Sequence, residues 1–139
     1  MARAIEAPEG RQVFARSFAP TASDIDANGH VNNVVYLGWA QEIAVAHWQS
    51  RQPDDVQSKW AWIAIRHEVD YRRPLMPGEV AEARTWVADA AQGPRFDRFV
   101  RIDGPDGVMC AQVMTTWCLI DQAFGRPARV PVAMVERML

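Results

Sequence analysis

The sequence predicts an α+β domain in which a curled antiparallel sheet of five strands wraps around one long central helix. Residues 33–51 are apolar around almost the whole helical circumference, which is typical of a helix buried on most sides. The strand-like stretches after it are joined by short turns, and consecutive strands with tight turns pair antiparallel. A lone apolar helix and a lone sheet bury their apolar surfaces by packing against each other, so we expect the sheet to curl around the helix.

Length and composition indicate a single globular domain. The 139 residues fit one core, and 49% apolar with 23% charged residues is an ordinary globular balance. We therefore expect one domain over residues 1–139, with residues 1–11 as a flexible arm. The net charge of −2, with no basic stripe, argues against a nucleic-acid partner.

Apolar runs and cysteine positions in the sequence predict where in the cell the protein is located. No run approaches the roughly 18 apolar residues of a membrane span, and the N-terminal ten residues lack the apolar core of a signal peptide. Cys110 and Cys118 lie too far apart on one predicted strand to form a disulfide with each other. We expect a cytoplasmic protein with reduced cysteines and no membrane span.

The elements follow in order along the chain. Residues 13–21 are compatible with a strand ending near Pro20. A polar loop precedes the helix of residues 33–51, which ends before Pro53. Turns rich in Gly and Pro then separate four strands, at residues 60–73, 80–91, 95–103 and 108–121. The tail is ambiguous, with one or two helical turns over residues 131–138.

Alternation within the strands predicts which faces are buried. On the first of the four strands, one face carries Ile63, Ile65, Val69 and Tyr71. His67 belongs to that apolar face, so we expect a core histidine without a chemical role. On the last strand, one face carries Val113, Trp117 and Leu119.

The most polar part of the chain lies immediately before the helix. Residues 23–33 contain two aspartates, one histidine and three asparagines. Polar groups are costly to desolvate where a loop enters a buried helix, so a structural role explains them poorly. A helix N-terminus presents unpaired N–H groups and a partial positive charge, which suits a developing anion. This segment is therefore the candidate active site.

Two motifs carry a resemblance to a known family. The string Asp24-x-Asp26-x-x-Gly29-His30-Val31-Asn32-Asn33-x-x-Tyr36 resembles the signature of hotdog-fold thioesterases of the 4-hydroxybenzoyl-CoA thioesterase-like group. Extended through Leu37-Gly38-Trp39, it is also similar to plant acyl-ACP thioesterases. A second block of the same superfamily resembles Asp70-Tyr71-Arg72-Arg73-Pro74 followed by Pro77-Gly78-Glu79.

The resemblance covers roughly residues 13–121. It implies the hotdog fold and hydrolysis of an acyl thioester, usually acyl-CoA, at a site between two protomers. Because one helix cannot cover a five-stranded sheet and sheet edges favour pairing, a homodimer is also expected on physical grounds. Whether dimers pair into tetramers stays open.

The resemblance also implies roles for individual residues. The catalytic carboxylate of the 4-hydroxybenzoyl-CoA group matches Asp26. The catalytic Asp-x-Asn-x-His set of the plant enzymes matches Asp26, Asn28 and His30, and the backbone N–H of Asn33 matches the family's donor to the thioester oxygen. The plant enzymes also use a Glu where this chain has Pro74, so acyl-CoA is expected as the substrate, and an acyl-carrier protein stays open as the less favoured alternative.

The chemistry of these side chains fits such roles. A carboxylate at Asp26 can attack the thioester carbonyl or deprotonate water, although an Asp here could instead be a helix N-cap contributing about 1 kcal/mol. His30 can orient the carboxylate or water, or protonate the leaving thiolate. Asn28 can position water or serve the turn. The Asn33 N–H would stabilise the oxyanion, and Asp24 is expected to play a supporting part.

Four residues are candidates for binding substrate. Gly29 permits close approach of substrate or a special backbone geometry. Tyr36 belongs to the motif at the start of the helix. Arg72 and Arg73 are candidates for the CoA phosphates, as is Arg95.

Other chemistries lack support in the sequence. The three histidines do not have metal-ligand spacing and no Cys-x-x-Cys is present, so we expect no metal. No Gly-x-Ser-x-Gly elbow or phosphate-binding loop occurs, and no cofactor is expected.

Two alternative functions stay open. Hotdog enoyl-thioester hydratases use Asp-x-Asn-Pro-x-His, whereas here the proline is missing and His30 follows Asn28 by two residues. A non-catalytic acyl-CoA-binding module would keep the fold without turnover, which the intact Asp-x-Asn-x-His set argues against. The acyl group itself is not specified.

Overall fold

The computed structural model describes residues 3–139 and has the predicted α+β architecture. A short 3₁₀ turn over Ala22–Asp24 precedes the long helix. The helices are α1 (Asn33–Arg51), α2 (Asp54–Lys59) and α3 (Val132–Glu136). The strands are β1 (Phe14–Phe18), β2 (Trp60–Tyr71), β3 (Ala81–Val87), β4 (Arg95–Asp103), β5 (Met109–Asp121) and β6 (Arg126–Pro127).

One antiparallel sheet contains all the strands, in the order β1-β3-β4-β5-β2, with the two-residue β6 paired to β5. Helix α1 packs on the inner face of this sheet. Its buried side chains recur every three or four residues, at Tyr36, Trp39, Ala40, Ile43, Ala44 and His47. The predicted arrangement of a curled sheet around one long helix is confirmed.

Helix α1 has the bounds that the sequence predicts. It begins after Asn32, whose side chain accepts a hydrogen bond from the Val34 N–H at 3.1 Å. It ends at Arg51, and Pro53 follows after one residue. Pro53 also starts the short helix α2, which the sequence did not predict. Within this single chain α1 is not buried all round, because Val34 and Val45 face solvent.

Strand β2 differs from its predicted alternation. Its pairing with β5 shifts register between Ala64 and Arg66, leaving Ile65 as an extra residue. A bulge of this kind reverses the alternation beyond it. The prediction that Ile63 and Ile65 share the buried face of Val69 was therefore wrong, since both isoleucines are exposed. His67 pairs opposite Thr115, and its Nδ1 lies 2.8 Å from the threonine Oγ1.

Residues 3–11 of the N-terminal arm lack helix and strand but are held against the sheet. The Gln112 side chain accepts from the Ile5 N–H at 2.8 Å and donates to the Arg3 carbonyl at 2.9 Å. The Gln12 N–H donates to the Leu139 carbonyl at 2.9 Å. The arm predicted over residues 1–11 thus lies along the sheet from residue 3 onward, while residues 1 and 2 lie outside the described residues.

Two further observations concern predictions from composition. Cys110 and Cys118 are both free and buried. Across residues 3–139, no helix is long and apolar enough to cross a membrane.

Candidate active site

A tight loop holds Asp26 and His30 together at the N-terminus of α1. A bridge between Ile25 and Val31 closes the loop. The Asp26 N–H donates to the His30 carbonyl at 2.9 Å, and the Gly29 N–H donates to the Asp26 carbonyl at 3.0 Å. Gly29 has φ of +77°, a left-handed conformation that side chains disfavour. The glycine in the motif is therefore explained by the turn.

Both sides of the loop are anchored to neighbouring segments. The Val31 N–H donates to the Leu75 carbonyl at 2.9 Å, and the Asn32 N–H donates to the Asp24 carbonyl at 2.8 Å. The Asp24 carboxylate itself accepts from the Thr21 N–H at 2.8 Å. Asp24 thus closes the preceding 3₁₀ turn, in line with the supporting part predicted for it.

The Asp26 carboxylate is partly engaged and partly available. Its Oδ1 accepts from the Asn28 N–H at 2.9 Å and, at 3.5 Å, from the His30 N–H. Its Oδ2 has no hydrogen-bond partner among residues 3–139. Because Asn32 is the N-cap of α1, the capping role considered for Asp26 is wrong. One carboxylate oxygen orients the group and the other is available for substrate or water.

The backbone N–H of Asn33 is also unengaged. Asn32 accepts hydrogen bonds from the next two amides. Its side chain accepts from the Val34 N–H, and its carbonyl accepts from the Val35 N–H. Within the described part of the chain, no acceptor faces the Asn33 N–H. The Asn33 carbonyl accepts from the Tyr71 hydroxyl at 3.1 Å. The first turn of α1 thus retains one free donor, which is the group an oxyanion requires.

A cavity of about 230 Å³ brings most of the predicted site residues together. All four predicted catalytic residues line it, as do three of the four predicted substrate-binding residues. Gly29 does not line the cavity. The full lining is Asp26, Asn28, His30, Val31, Asn32, Asn33, Tyr36, Tyr71, Arg72, Arg73, Pro74 and Cys110.

The two neighbouring arginines of the cavity differ in their partners. Arg73 donates to Glu79 at 3.3 Å and to Asp106 at 3.1 Å, so its guanidinium already has two carboxylate partners. Arg72 makes no ion pair within residues 3–139, and its Nη2 is shielded from solvent without a hydrogen-bond partner. Arg72 is therefore the cation available to an anionic ligand. Arg95 is exposed at the start of β4 and does not line the cavity.

Tyr36 lies deeper than a surface-binding residue would. It is buried in the core, and its hydroxyl accepts from the Leu75 N–H at 3.1 Å. Burial raises the pKa of this phenol, so it stays neutral. Tyr36 holds the segment after β2, which in turn anchors Val31.

Five cavity residues were not among the predicted site residues: Val31, Asn32, Tyr71, Pro74 and Cys110. Tyr71 and Pro74 belong to the second motif block beside the arginines, which was a usable signal. No sequence feature near Cys110 indicates that it lines the cavity. Pairing in the sheet brings it beside Arg72, whose N–H donates to the Cys110 carbonyl at 2.8 Å. Burial raises the pKa of the Cys110 thiol to about 11, so the thiol stays protonated and lines the cavity without acting as a nucleophile.

No metal-binding cluster accompanies the site. Throughout residues 3–139, no group of three or more His, Cys, Asp or Glu side chains is arranged to hold an ion. The chemistry available in the cavity is that of a carboxylate, an imidazole, amides and a guanidinium.

Comparison with known proteins identifies the fold. The profile of the family described as the thioesterase-like superfamily matches residues 20–138. A thioesterase from Thermus thermophilus, described as complexed with coenzyme A and Zn, is 25% identical with a TM-score of 0.79, over 93% of this chain and 98% of that one. No curated protein matches significantly.

Two further solved structures share the architecture at lower identity. A predicted thioesterase from Bacillus stearothermophilus is 23% identical with a TM-score of 0.80, over 91% of this chain and 94% of that one. A 1,4-dihydroxy-2-naphthoyl-CoA thioesterase from Synechocystis is 17% identical with a TM-score of 0.77, over 91% and 96%. These likenesses establish the hotdog fold that the motifs imply.

Proposed function

Because the chain belongs to the thioesterase-like superfamily, we propose that it hydrolyses an acyl-CoA thioester to the free acid and CoA. The observation that carries this proposal is one cavity lined by Asp26, Asn28, His30 and Asn33, with an unengaged N–H at the start of α1. The description of the Thermus thermophilus relative as a coenzyme A complex supports a CoA thioester as the substrate.

In the proposed reaction Asp26 is the nucleophile or the general base. Its free Oδ2 either adds to the thioester carbonyl and expels the thiolate, leaving an acyl anhydride that water then hydrolyses to the acid, or removes a proton from the water that adds to the carbonyl and expels the thiolate. The Asn33 N–H donates to the carbonyl oxygen as negative charge develops, with the partial positive charge of the α1 N-terminus adding to the effect. His30 orients the attacking group or protonates the leaving thiolate, and Asn28 orients water.

Arg72 completes the proposed site as the anion-binding residue. Its guanidinium has no carboxylate partner within residues 3–139, whereas Arg73 has two. A phosphate of CoA is a chemically suitable partner, because guanidinium groups bind phosphate oxygens in pairs.

The reaction is tested with two assays on the same protein, one for release of free thiol and one for loss of enoyl absorbance. Incubation with acyl-CoAs of varied length and aromaticity should release free thiol, measured with a chromogenic thiol reagent. The hydratase alternative predicts that crotonyl-CoA loses its enoyl absorbance without releasing thiol. Tight acyl-CoA binding without either product would favour the non-catalytic module.

We also propose that the protein is a homodimer formed through β2. This strand ends the sheet, and no strand of residues 3–139 pairs with its outer edge. Ile63 and Ile65 on β2 are 54% and 47% exposed, and Val34 and Val45 on α1 are 67% and 46% exposed. A long unpaired edge with apolar side chains is a template for pairing with a second copy.

The dimer is tested by sedimentation equilibrium. Wild type should have twice the chain mass of 15.6 kDa. The Ile65→Glu variant should move toward the monomer, because a carboxylate would be placed in the interface. Val132→Glu is a matched control on α3, outside β2 and α1, where Val132 is 72% exposed, and it should remain dimeric. A monomeric wild type would contradict the proposal.

A further inference from the structure

A second cavity lies at the opposite end of α1. It has a volume of about 50 Å³ and opens between the C-terminal half of α1, the inner face of the sheet and α3. It shares no lining residue with the Asp26 cavity. Its wall is mostly aromatic and apolar, with Met134 and Met138 from the α3 region and Phe96 from β4.

One charged side chain, Arg98, lines this apolar cavity. It is 6% exposed, and its Nη1 donates to His47 Nδ1 at 2.9 Å and to Thr85 Oγ1 at 3.0 Å. Both partners are uncharged, since His47 Nδ1 is an acceptor here and its Nε2–H donates to Gln12 Oε1 at 2.5 Å. Burial lowers the pKa of Arg98 to about 9, so the guanidinium stays protonated at neutral pH.

Arg98 has no carboxylate partner within residues 3–139, and no Asp or Glu lines the cavity. The carboxylate of Asp89 is already paired with Arg11, so it does not compensate the buried charge. Buried charges in proteins are normally paired, because an uncompensated one is costly to desolvate. The free protein therefore lacks a counter-charge at this position.

Unpaired donors surround the same cavity. Trp48, Trp62 and Trp117 line it, and their indole nitrogens are shielded from solvent without any acceptor in the described part of the chain. Trp48 and Trp62 also pack edge to face, with ring centroids 6.5 Å apart. The cavity therefore combines one guanidinium with flat apolar walls, and the indole N–H groups of three of its wall residues lack an acceptor.

We propose that this cavity binds a compact carboxylic acid, with its carboxylate at Arg98 and its apolar body against the aromatic and methionine side chains. A water-sized group needs roughly 10–15 Å³, so the cavity of about 50 Å³ holds about three to five such groups and favours a short aliphatic acid of the size of propionate over a long-chain or aromatic acid. Carboxylic acids are also the product class of thioester hydrolysis. That connection depends on the proposed function, but binding of the acid does not.

The experiment follows the indole N–H signals of the whole protein by ¹H–¹⁵N NMR during titration with propionate. The six tryptophans give six such signals, which single Trp→Phe variants assign. Propionate should shift the signals of Trp48, Trp62 and Trp117 and leave that of Trp86 unchanged, because Trp86 stacks on Phe99 on the other face of the sheet. Propionamide, a neutral molecule of the same size, should bind about tenfold more weakly.

Two variants test the donors separately. Arg98→Met should weaken propionate binding about tenfold or more, and Trp62→Phe, which removes one N–H and keeps an aromatic ring, about fivefold. Trp86→Phe is the matched control and should bind as wild type does. Equal shifts at all six indoles, equal affinity for propionamide, or an unchanged Trp62→Phe variant would each overturn the proposal. None of these readouts requires turnover, so failure here is distinguishable from failure of the thioesterase proposal.

Discussion

Replacing Asp26 with Asn is expected to lower kcat for acyl-CoA hydrolysis by about 100-fold or more, the usual scale for losing a catalytic acid–base group. An amide is neither a base nor a nucleophile toward a thioester. It still offers an oxygen to the Asn28 N–H, which lies 2.9 Å from Asp26 Oδ1, so the loop should keep its shape. The measurement is steady-state thiol release, with circular dichroism and thermal unfolding to confirm the fold.

Asp24→Asn is the matched control for this experiment. It makes the same change two residues earlier, at a side chain that bonds the Thr21 N–H and does not line the cavity. The control should retain kcat within a few-fold. An Asp26→Asn enzyme as fast as wild type would remove Asp26 from the reaction, and an equally slow Asp24→Asn enzyme would show that the loss is not specific to Asp26.

Lowering the pH from 7 to 5 is expected to reduce the free energy of unfolding by about 2 kcal/mol through His47 alone. Burial, reinforced by the charges of Arg98 and Arg51, lowers the pKa of His47 to about 3 in the folded protein. In the unfolded chain it returns to about 6.5. The unfolded state therefore binds the proton first, and the stabilising contribution is full above pH 6.5 and lost as the pH falls toward 3.

The test is urea unfolding at pH 8, 7, 6 and 5 for wild type and His47→Gln. The variant lacks the titrating group, so its unfolding free energy should fall less than that of wild type between pH 7 and 5. Between pH 8 and 7 the two proteins should change almost alike, because His47 is mostly neutral in both states there. Parallel curves over the whole range would show that His47 does not bind a proton on unfolding.

The local pattern of the chain was sufficient for the long elements. Helix α1 and strand β4 have the bounds predicted for them, since period and turn residues are both encoded within a few neighbouring positions. Strand β2 was predicted as a strand, but not its bulge at Ile65, because a bulge is a property of the pairing with β5. The two-residue β6 likewise exists only through that neighbouring strand.

The candidate site was likewise only partly predictable from the sequence. Its motif residues are close in sequence, so Asp26, Asn28, His30 and Asn33 were identified together, and their catalytic roles stay predictions. The difference between Arg72 and Arg73 was invisible, because it depends on where Glu79 and Asp106 lie in space. Cys110 reached the cavity only through sheet pairing.

The sequence alone determined the order of elements, the polar loop before α1 and the family to which its motifs point, because each is written in residues near one another along the chain. The tertiary structure decided which polar groups have partners and which do not. It leaves Asp26 Oδ2, the Asn33 N–H and the Arg72 guanidinium available in one cavity, and it buries Arg98 without a carboxylate in another. Hydrogen-bond partners and counter-charges come from distant segments that folding brings together, so no local pattern encodes them.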